Sequence, residues 1–428
     1  MKKLCFFLTL IALLSTVVGC TDEVWQPVVQ EIPEEPEQEL PSAYSYMEEG
    51  RMPILRNQGD TNTCWAFAAL SALECSMDED AVGPYSADHL IFHNPFGNSF
   101  VTGGSYVVTM GYLLSWEGPV GELEDPFDGE SPDFLEETAH VQEIRQSQPK
   151  DYQRIKEFVY HYGGVETALY VDFQGSLSES PYYRKEFNSY CYQGTQPSNH
   201  DVVIIGWDDA YPAENFAGEV QEDGAFLCLN SWGEEFGNAG TFYVSYEDVH
   251  IGEYGITYSR IDNVGNYDRI FQSDLCGFTA QIGYGQEGAW FANAYTAEED
   301  VTVRAAGFYA TGENTEYEIY AVPKFLDERS FLEKYLVAKG KLKDEGFYTI
   351  ELQKTLEVDA GEDFALAVRI ITENAEYPVA VECQVPGLSE NADISDGRGY
   401  LSLQGNLWEH VEETKEYNIC LKAYADLR

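Results

Sequence analysis

The feature that most constrains the fold of this chain is a change of pattern near residue 266. Before that point, some segments carry apolar residues at helical spacing and others read as strands. After it, short β-rich runs recur with Gly, Asn and Asp between them. A chain of 428 residues is too long for one ordinary domain. The sequence therefore predicts an α+β domain followed by an all-β domain.

Within the first region, helical patterns are clearest at residues 65–77, 105–116 and 151–162. Strands are predicted there at 165–173, 202–207, 225–229 and 240–246. The even strand spacing of the second region predicts a β-sandwich, with strands at 301–310, 317–322, 347–352, 364–371 and 417–424. One helix, at 326–336, is predicted among them.

The N-terminus reads as a secretory signal peptide that ends at a cysteine. Lys2 and Lys3 precede an apolar run over residues 4–18, which is too short for a stable membrane span. The ending resembles a bacterial lipobox, in which Cys20 would be lipidated and become the mature N-terminus; an ordinary signal peptide cut elsewhere is the alternative. We therefore predict a signal peptide (1–19) and a lipid-anchored, Pro/Glu-rich tether (20–39), which implies an exported bacterial lipoprotein at the outer face of the cell membrane or cell surface.

Charge and cysteine spacing exclude several classes of function. The formal net charge of −49 repels nucleic-acid phosphates and anionic lipid headgroups, so we expect no nucleic-acid partner. The cysteines are scattered singly, without C-x-x-C pairs, which argues against a zinc site or a dense disulfide scaffold. We expect no metal and no cofactor. After Cys20 an odd number of cysteines remains, so at least one thiol should be free.

Cys64 is the candidate nucleophile. Thr and Asn residues precede it and an Ala/Leu-rich run follows, which places Cys64 at a helix start. The macrodipole there favours an anion and would lower the pKa of a thiol. The ordinary alternative is a buried structural cysteine, which suits Cys75 of the same helix.

A thiolate needs a base, and the base needs a partner that orients it. His200 directly precedes the apolar strand at 202–207, and Asn230 follows another apolar strand. A strand end is a rigid mount for a catalytic side chain, and Asn can hold an imidazole without adding charge.

These residues belong to four blocks that together resemble the papain-like cysteine proteases. In chain order the blocks are Gln58-Gly59, Cys64-Trp65-Ala66-Phe67, Asn199-His200 and Asn230-Ser231-Trp232-Gly233. The separation of Cys64 and His200 lies within the roughly 130–150 residues typical of the family. The resemblance covers residues 40–261 and implies a two-lobed catalytic domain, with a helical lobe and a β-barrel-like lobe, that hydrolyses peptide bonds.

The resemblance also implies roles for individual residues. Cys64 would attack as a thiolate paired with imidazolium His200, and Asn230 would orient the imidazole. Gln58 and the Cys64 backbone N–H would stabilise the oxyanion. Trp232 would shield the Asn230–His200 hydrogen bond from water. The expected substrate-binding residues comprise Trp232 together with Gly103, Gly104 and Asp201.

Asp201 stands where relatives usually carry a small apolar residue, at the pocket for the second substrate residue upstream of the cut. A carboxylate there would favour Lys or Arg in the substrate. The alternative is that Asp201 turns away and bonds to backbone or to a nearby cation.

The sequence departs from the family in two respects. Thr61 and Val101 stand where relatives usually carry the two cysteines of a disulfide. Only residues 21–39 separate Cys20 from the catalytic region, so we expect no inhibitory prodomain of the usual type.

Residues 262–428 look like the lectin-like domain that follows the protease in some bacterial relatives. Trp290 and Trp408 could stack on a carbohydrate or cell-surface ligand, although core packing is the favoured interpretation. Two other functions compete with the peptidase: a non-catalytic surface adhesin on a protease fold, and a cell-wall amidase or transpeptidase. Neither needs all four blocks.

Overall fold

The computed structural model describes residues 27–31, 39–77, 84–97, 100–172 and 180–428. The predicted signal peptide, Cys20 and most of the tether lie outside these residues. The helices are α1 (Tyr46–Glu49), α2 (Cys64–Cys75), α3 (Ala87–His93), α4 (Tyr106–Leu114), α5 (Tyr152–His161) and α6 (Val411–Lys415), with 3-10 turns at Ala213–Asn215 and Glu328–Glu333. No helix among the described residues is long and apolar enough to cross a bilayer.

Strands dominate the rest of the molecule. The earlier strands are β1 (Val29–Glu31), β2 (Ala43–Ser45), β3 (Ala139–Ser147), β4 (Val165–Leu169), β5 (Tyr183–Arg184), β6 (Ser189–Tyr190), β7 (His200–Asp208), β8 (Ala225–Leu229), β9 (Thr241–Ser245) and β10 (Gly255–Asn263). The later strands are β11 (Arg269–Phe271), β12 (Ala280–Ile282), β13 (Gly288–Thr296), β14 (Val301–Ala310), β15 (Thr315–Val322), β16 (Tyr335–Leu342), β17 (Glu345–Val358), β18 (Asp363–Thr372), β19 (Val379–Glu382), β20 (Gly399–Ser402), β21 (Glu409–His410), β22 (Asn418–Ile419) and β23 (Leu421–Leu427).

Helix α2 lies at the centre of the catalytic region. Its Ala- and Leu-rich sequence has high helix propensity, and its residues from Trp65 to Leu73 are all buried. Because it is apolar on every side, it packs against α3, α4 and strand β7 at once. Only Cys64, the first residue of the helix, and Glu74 near its end are partly exposed.

The second region builds a core of its own. Strands β14, β17 and β23 lie in one sheet and β13, β15, β16 and β18 in another. Their inward side chains form one apolar cluster that includes Phe291, Phe308, Val368 and Leu421. The predicted sandwich-like all-β domain is confirmed, and so is the α+β catalytic region before it.

The helix predicted at 326–336 is wrong. The chain forms a single 3-10 turn, Glu328–Glu333, and then enters strand β16. Lys334 adopts φ −60° and ψ 141°, which ends the turn. Pairing of β16 with β15 then overrides the local helical pattern.

The two regions share a sheet. Strand β3 of the first region pairs with β10 on one side and with β17 of the second region on the other. The sheet therefore runs without a break from β11 at one edge to β5 at the other. This junction fixes the two regions against each other.

Candidate active site

Five loops and element ends meet in a cleft of about 1180 Å³. Cys64 at the start of α2 and His200 at the start of β7 both line it. So do Gln58, Trp232, Asp201 and the two glycines at 103 and 104. The structure thus brings together every site residue predicted from the sequence except Asn230, which lies behind His200, and Cys20, which lies outside the described residues.

Two hydrogen bonds on one oxygen settle the orientation of the imidazole. Asn230 Oδ1 accepts from the backbone N–H of Ser231 at 2.8 Å and lies 2.9 Å from His200 Nε2. Because the backbone donor fixes which end of the amide is oxygen, Nε2 must carry the proton. Nδ1 is then the ring nitrogen that can take a proton from a nucleophile. Trp232 stacks on the His200 ring at 4.6 Å between centroids.

Burial opposes charge on both members of the candidate pair. It raises the pKa of the Cys64 thiol to about 12, with the Asp201 carboxylate adding to the rise and the backbone N–H groups of Asp201 and Trp65 opposing it. Burial also lowers the pKa of His200 to about 4, against the hydrogen bond that its ring donates to Asn230. Desolvation thus opposes the lowering of the thiol pKa that is expected at the helix start.

Gln58 is held by three contacts. Its Nε2 donates to Thr61 O at 2.7 Å, and its Oε1 accepts from Ser231 Oγ at 2.6 Å. Its backbone N–H donates to Ser231 O at 2.8 Å. Since the Thr61 carbonyl can only accept, it fixes which end of the Gln58 amide is nitrogen, and the second Nε2 hydrogen is left for a substrate. Ser231 was not predicted as a site residue, although it lies within the recognised Asn230-Ser231-Trp232-Gly233 block.

The two glycines of the cleft are required for different reasons. Gly103 has φ +72°, in the left-handed region. A Cβ on Gly104 would lie 2.5 Å from the Trp65 ring, so this glycine lets the loop pack on α2. Close packing, and not only the approach of a substrate, explains Gly104.

Asp201 lies beside the nucleophile and takes part in an acidic cluster. Its Oδ1 accepts from Tyr254 Oη at 2.6 Å, and burial raises its pKa to about 6. Neither of the alternative partners, backbone or cation, is the one observed. Glu166 of β4 is fully buried behind it, and neither of its carboxylate oxygens has a hydrogen-bond partner among the residues that the structure describes. Its pKa is raised by burial and by the charge of Asp201.

Glu166 was missed by sequence reasoning. It lies inside a strand that was predicted from its apolar neighbours. The one signal in the sequence was a carboxylate among residues expected to be buried, where carboxylates are rare.

The described cysteines and the two tryptophans discussed from the sequence lie outside the cleft, apart from Cys64. The seven described cysteines are all free, and all except Cys64 are buried. Trp408 stacks on Phe331 at 4.2 Å, and Trp290 is covered by Gly405 and the Lys334 ammonium. Both tryptophans therefore contribute to packing. Within residues 27–31, 39–77, 84–97, 100–172 and 180–428, no three His, Cys, Asp or Glu side chains are placed to share a metal ion.

Comparison with known proteins agrees with this geometry. Residues 40–261 match the papain family of cysteine proteases, and residues 270–425 match the lectin-like domain family. The first match covers more than half of the chain, and the chain belongs to the papain family of cysteine proteases.

Curated relatives include cathepsin L 1 of Paramecium tetraurelia, 28% identical over 44% of this chain and 54% of that protein. Bovine cathepsin S is 25% identical over 48% of this chain and 60% of that protein. The chain thus spans little more than half the length of these relatives.

A solved structure extends the likeness over both regions. The cysteine protease and lectin-like domains of Cwp84, a surface layer associated protein of Clostridium difficile, superpose with a TM-score of 0.77 at 24% identity. The match covers 91% of this chain and 90% of that one. At this identity it shows the shared fold: a papain-like catalytic domain followed by a lectin-like all-β domain.

Proposed function

We propose that this protein is a cell-surface cysteine endopeptidase, with Cys64 as nucleophile, His200 as base, Asn230 as orienter and Gln58 as oxyanion donor. The observation that carries the proposal is the pair of hydrogen bonds on Asn230 Oδ1. They leave His200 Nδ1 as the proton acceptor in the cleft that holds Cys64.

Proton transfer from Cys64 to His200 activates the nucleophile. The Cys64 proton passes to His200 Nδ1 as Sγ forms a bond to the peptide carbonyl carbon. The oxyanion is stabilised by Gln58 Nε2 and by the Cys64 backbone N–H. This N–H is available because Cys64 lies at the start of α2, where backbone N–H groups have no partner within the helix. The C–N bond then breaks as His200 protonates the leaving amine, and water hydrolyses the thioester.

The test is peptide cleavage by a matched pair of cysteine variants. Cys64→Ala should abolish turnover and labelling by a thiol-reactive peptide mimic, whereas Cys75→Ala, on the same helix but buried, should keep both. Cleavage by the Cys64→Ala protein would refute the proposal. Turnover of muropeptides in place of peptides would identify a cell-wall amidase, and intact folding without any turnover would identify an adhesin.

Asp201 supports a preference for basic substrates. It lines the cleft, and within the part of the chain that the structure describes no Lys or Arg pairs with it. A substrate cation in the adjacent pocket would supply that partner, gaining on the order of 1–3 kcal/mol. The ratio of kcat/KM for peptides with Arg or Leu at the second position upstream of the cut should fall in Asp201→Ala. An unchanged ratio would remove Asp201 from specificity.

The cell-surface location rests on the N-terminal pattern and on Cwp84, which is a surface layer associated protein. Lipid on Cys20 would be the membrane contact, and the tether would lead from it to the enzyme. Cys20→Ala should release the protein from the membrane fraction, and a variant that stays as tightly bound as wild type would contradict the anchor. A carbohydrate ligand of the lectin-like domain is proposed from its family alone, since Trp290 and Trp408 are engaged in packing.

A further inference from the structure

A leucine-rich tip of zero net charge lies at one side of the lectin-like domain. We define the leucine tip as residues 323–334 and 402–408. The two segments pack on each other: the Phe331 and Trp408 rings stack at 4.2 Å, and Lys334 Nζ donates to Gly405 O at 3.0 Å. Three leucines on these segments are almost fully exposed: Leu326 at 90%, Leu332 at 76% and Leu407 at 82%.

The charge of the tip differs from that of the rest of the molecule. Residues 402–408 carry no charge, and residues 323–334 carry three basic and three acidic side chains. The tip is thus neutral, on a chain with a net charge of −49. A neutral apolar patch does not suit a basic partner, which the remaining surface would attract more strongly. It suits an uncharged surface that accepts leucine side chains.

The N-terminal segment connects to the lectin-like domain beside this tip. Strand β1 pairs in parallel with β16, with Val29 opposite Lys339. The Val28 N–H donates to Gln353 Oε1 at 2.8 Å, and the Val28 carbonyl accepts from Gln353 Nε2 at 2.7 Å. Because the pairing is parallel, the chain enters β1 from the end where β16 begins. That end directly follows Lys334, the last residue of the first tip segment.

Distance along the chain then limits where an anchor at Cys20 can lie. Eight residues link Cys20 to Val28, and a chain spans at most ~3.3–3.6 Å per residue, which is below about 30 Å. Val29 is level with Lys339, and the five residues back to Lys334 span roughly 16 Å of strand. The leucine tip therefore lies within reach of a lipid on Cys20.

We propose that the leucine tip rests on the membrane, with Leu326, Leu332 and Leu407 inserted among zwitterionic lipids beside the Cys20 anchor. This inference rests on the proposed lipid anchor and adds a second contact to it. Burial of exposed apolar side chains adds to the membrane affinity that a lipid anchor gives. Here the second contact is apolar, because the acidic surface rules out a polybasic one.

The experiment uses the full-length lipidated protein carrying Cys64→Ala, reconstituted in phosphatidylcholine vesicles that contain acyl-chain nitroxide lipids. Leu332→Cys is labelled with a fluorophore, and the matched control is Leu123→Cys, at a leucine of the catalytic domain that is more exposed still (94%). The other described cysteines are buried and should not label. We expect several-fold stronger quenching at position 332 than at 123, unchanged by added salt.

The outcomes separate the two proposals. Protein that does not sediment with the vesicles lacks the anchor, and this inference fails with it. Protein that sediments with equal quenching at both positions is anchored without resting on the tip, which refutes this inference alone. Quenching that disappears in high salt would mean contact through Arg329 or Lys334 and would also refute it.

Discussion

At the scale of single residues, Ser231 connects the two halves of the candidate catalytic machinery. Its backbone N–H fixes the Asn230 amide, and its hydroxyl fixes the Gln58 amide. Because one residue orients both amides, the geometry of the base and that of the oxyanion site are coupled. Sequence motifs could identify Asn230 and Gln58, but the hydrogen bond between two loops 173 positions apart is visible only in the fold.

This coupling predicts how two substitutions combine. Gln58→Ala should lower kcat by roughly 10²–10³ through loss of an oxyanion donor. Ser231→Ala should cost less, about 1 kcal/mol or roughly fivefold, since Gln58 remains but is held less firmly. If Ser231 acts through Gln58, the double variant should be no slower than Gln58→Ala alone. Additive losses in steady-state kcat would show that Ser231 acts independently.

The charge of Asp201 predicts a change in the pH dependence of the thiol. Its carboxylate raises the pKa of Cys64, because a nearby negative charge disfavours the thiolate. Asp201→Asn removes that charge and keeps an acceptor for Tyr254, so the pKa of Cys64 should fall. The rate of Cys64 alkylation should then begin to rise at a lower pH than in wild type.

The effect should be absent below the range in which Asp201 ionises, since its own pKa is raised to about 6. Glu299→Gln, which removes one exposed acid from the lectin-like domain, is the matched control and should leave the profile in place. A profile that does not move in Asp201→Asn would mean that solvent screens this charge from the thiol.

At the scale of elements, most of the helices and strands that local pattern predicted lie within one or two residues of observed ones. Helix α2 illustrates why: its apolar run has no break, and its start is marked by small polar residues. The strands predicted at 165–173 and 347–352 miss their ends by four and six residues, α1, α3 and α6 were not predicted, and one predicted helix does not form. The exception, residues 326–336, has a helical spacing of apolar residues but an extended Lys334. Strand β16 forms there because β15 and β1 offer partners on both sides, which the local sequence cannot show.

Strand β1 depends on one glycine of its neighbour. A Cβ on Gly340 would lie 2.1 Å from Gln30 O and 2.4 Å from Tyr317 Oη. Gly340→Ala should therefore release β1 and speed amide hydrogen exchange in the peptide that contains Val29–Glu31. Gly288→Ala in β13 is the matched control, because its Cβ would meet only ordinary contacts at 3.7 Å. Equal exchange in both variants would mean that β1 tolerates the added methyl group.

At the scale of the whole molecule, the junction of the two domains is the feature that the sequence did not reveal. Pairing of β3 with β17 joins residues about 200 positions apart, such as Arg145 and Gly346. Neither strand carries a local mark of its partner, since register is set by tertiary packing. The change of sequence pattern near residue 266 predicted two domains, and the structure adds that one continuous sheet runs through both.

A buried ion cluster stabilises that junction. Asp344, which follows β16, accepts from Arg154 Nε at 2.7 Å and from Arg145 at 3.1 Å. All three side chains are nearly buried, with exposed fractions of 2%, 10% and 8% for Asp344, Arg154 and Arg145. Both arginines belong to the catalytic domain, whereas the aspartate belongs to the lectin-like domain. Arg145 also pairs with Glu143 at 2.6 Å and Arg154 also pairs with Glu157, so Asp344 is the carboxylate that both arginines share across the domain boundary.

Removal of that carboxylate should weaken the whole protein and not one domain alone. Asp344→Ala removes the carboxylate that Arg145 and Arg154 share but leaves each its own glutamate partner, which should lower the free energy of unfolding by about 1.5–3 kcal/mol. The matched control is Glu299→Ala, which removes the exposed partner of Arg269 and should cost at most about 1 kcal/mol. Chemical unfolding followed by fluorescence measures both. If the junction couples the domains, Asp344→Ala should still unfold in a single transition, with its midpoint at a lower denaturant concentration.

Two separated transitions would show that the domains unfold independently once this cluster is broken. An unchanged midpoint would show that the shared sheet alone holds them together.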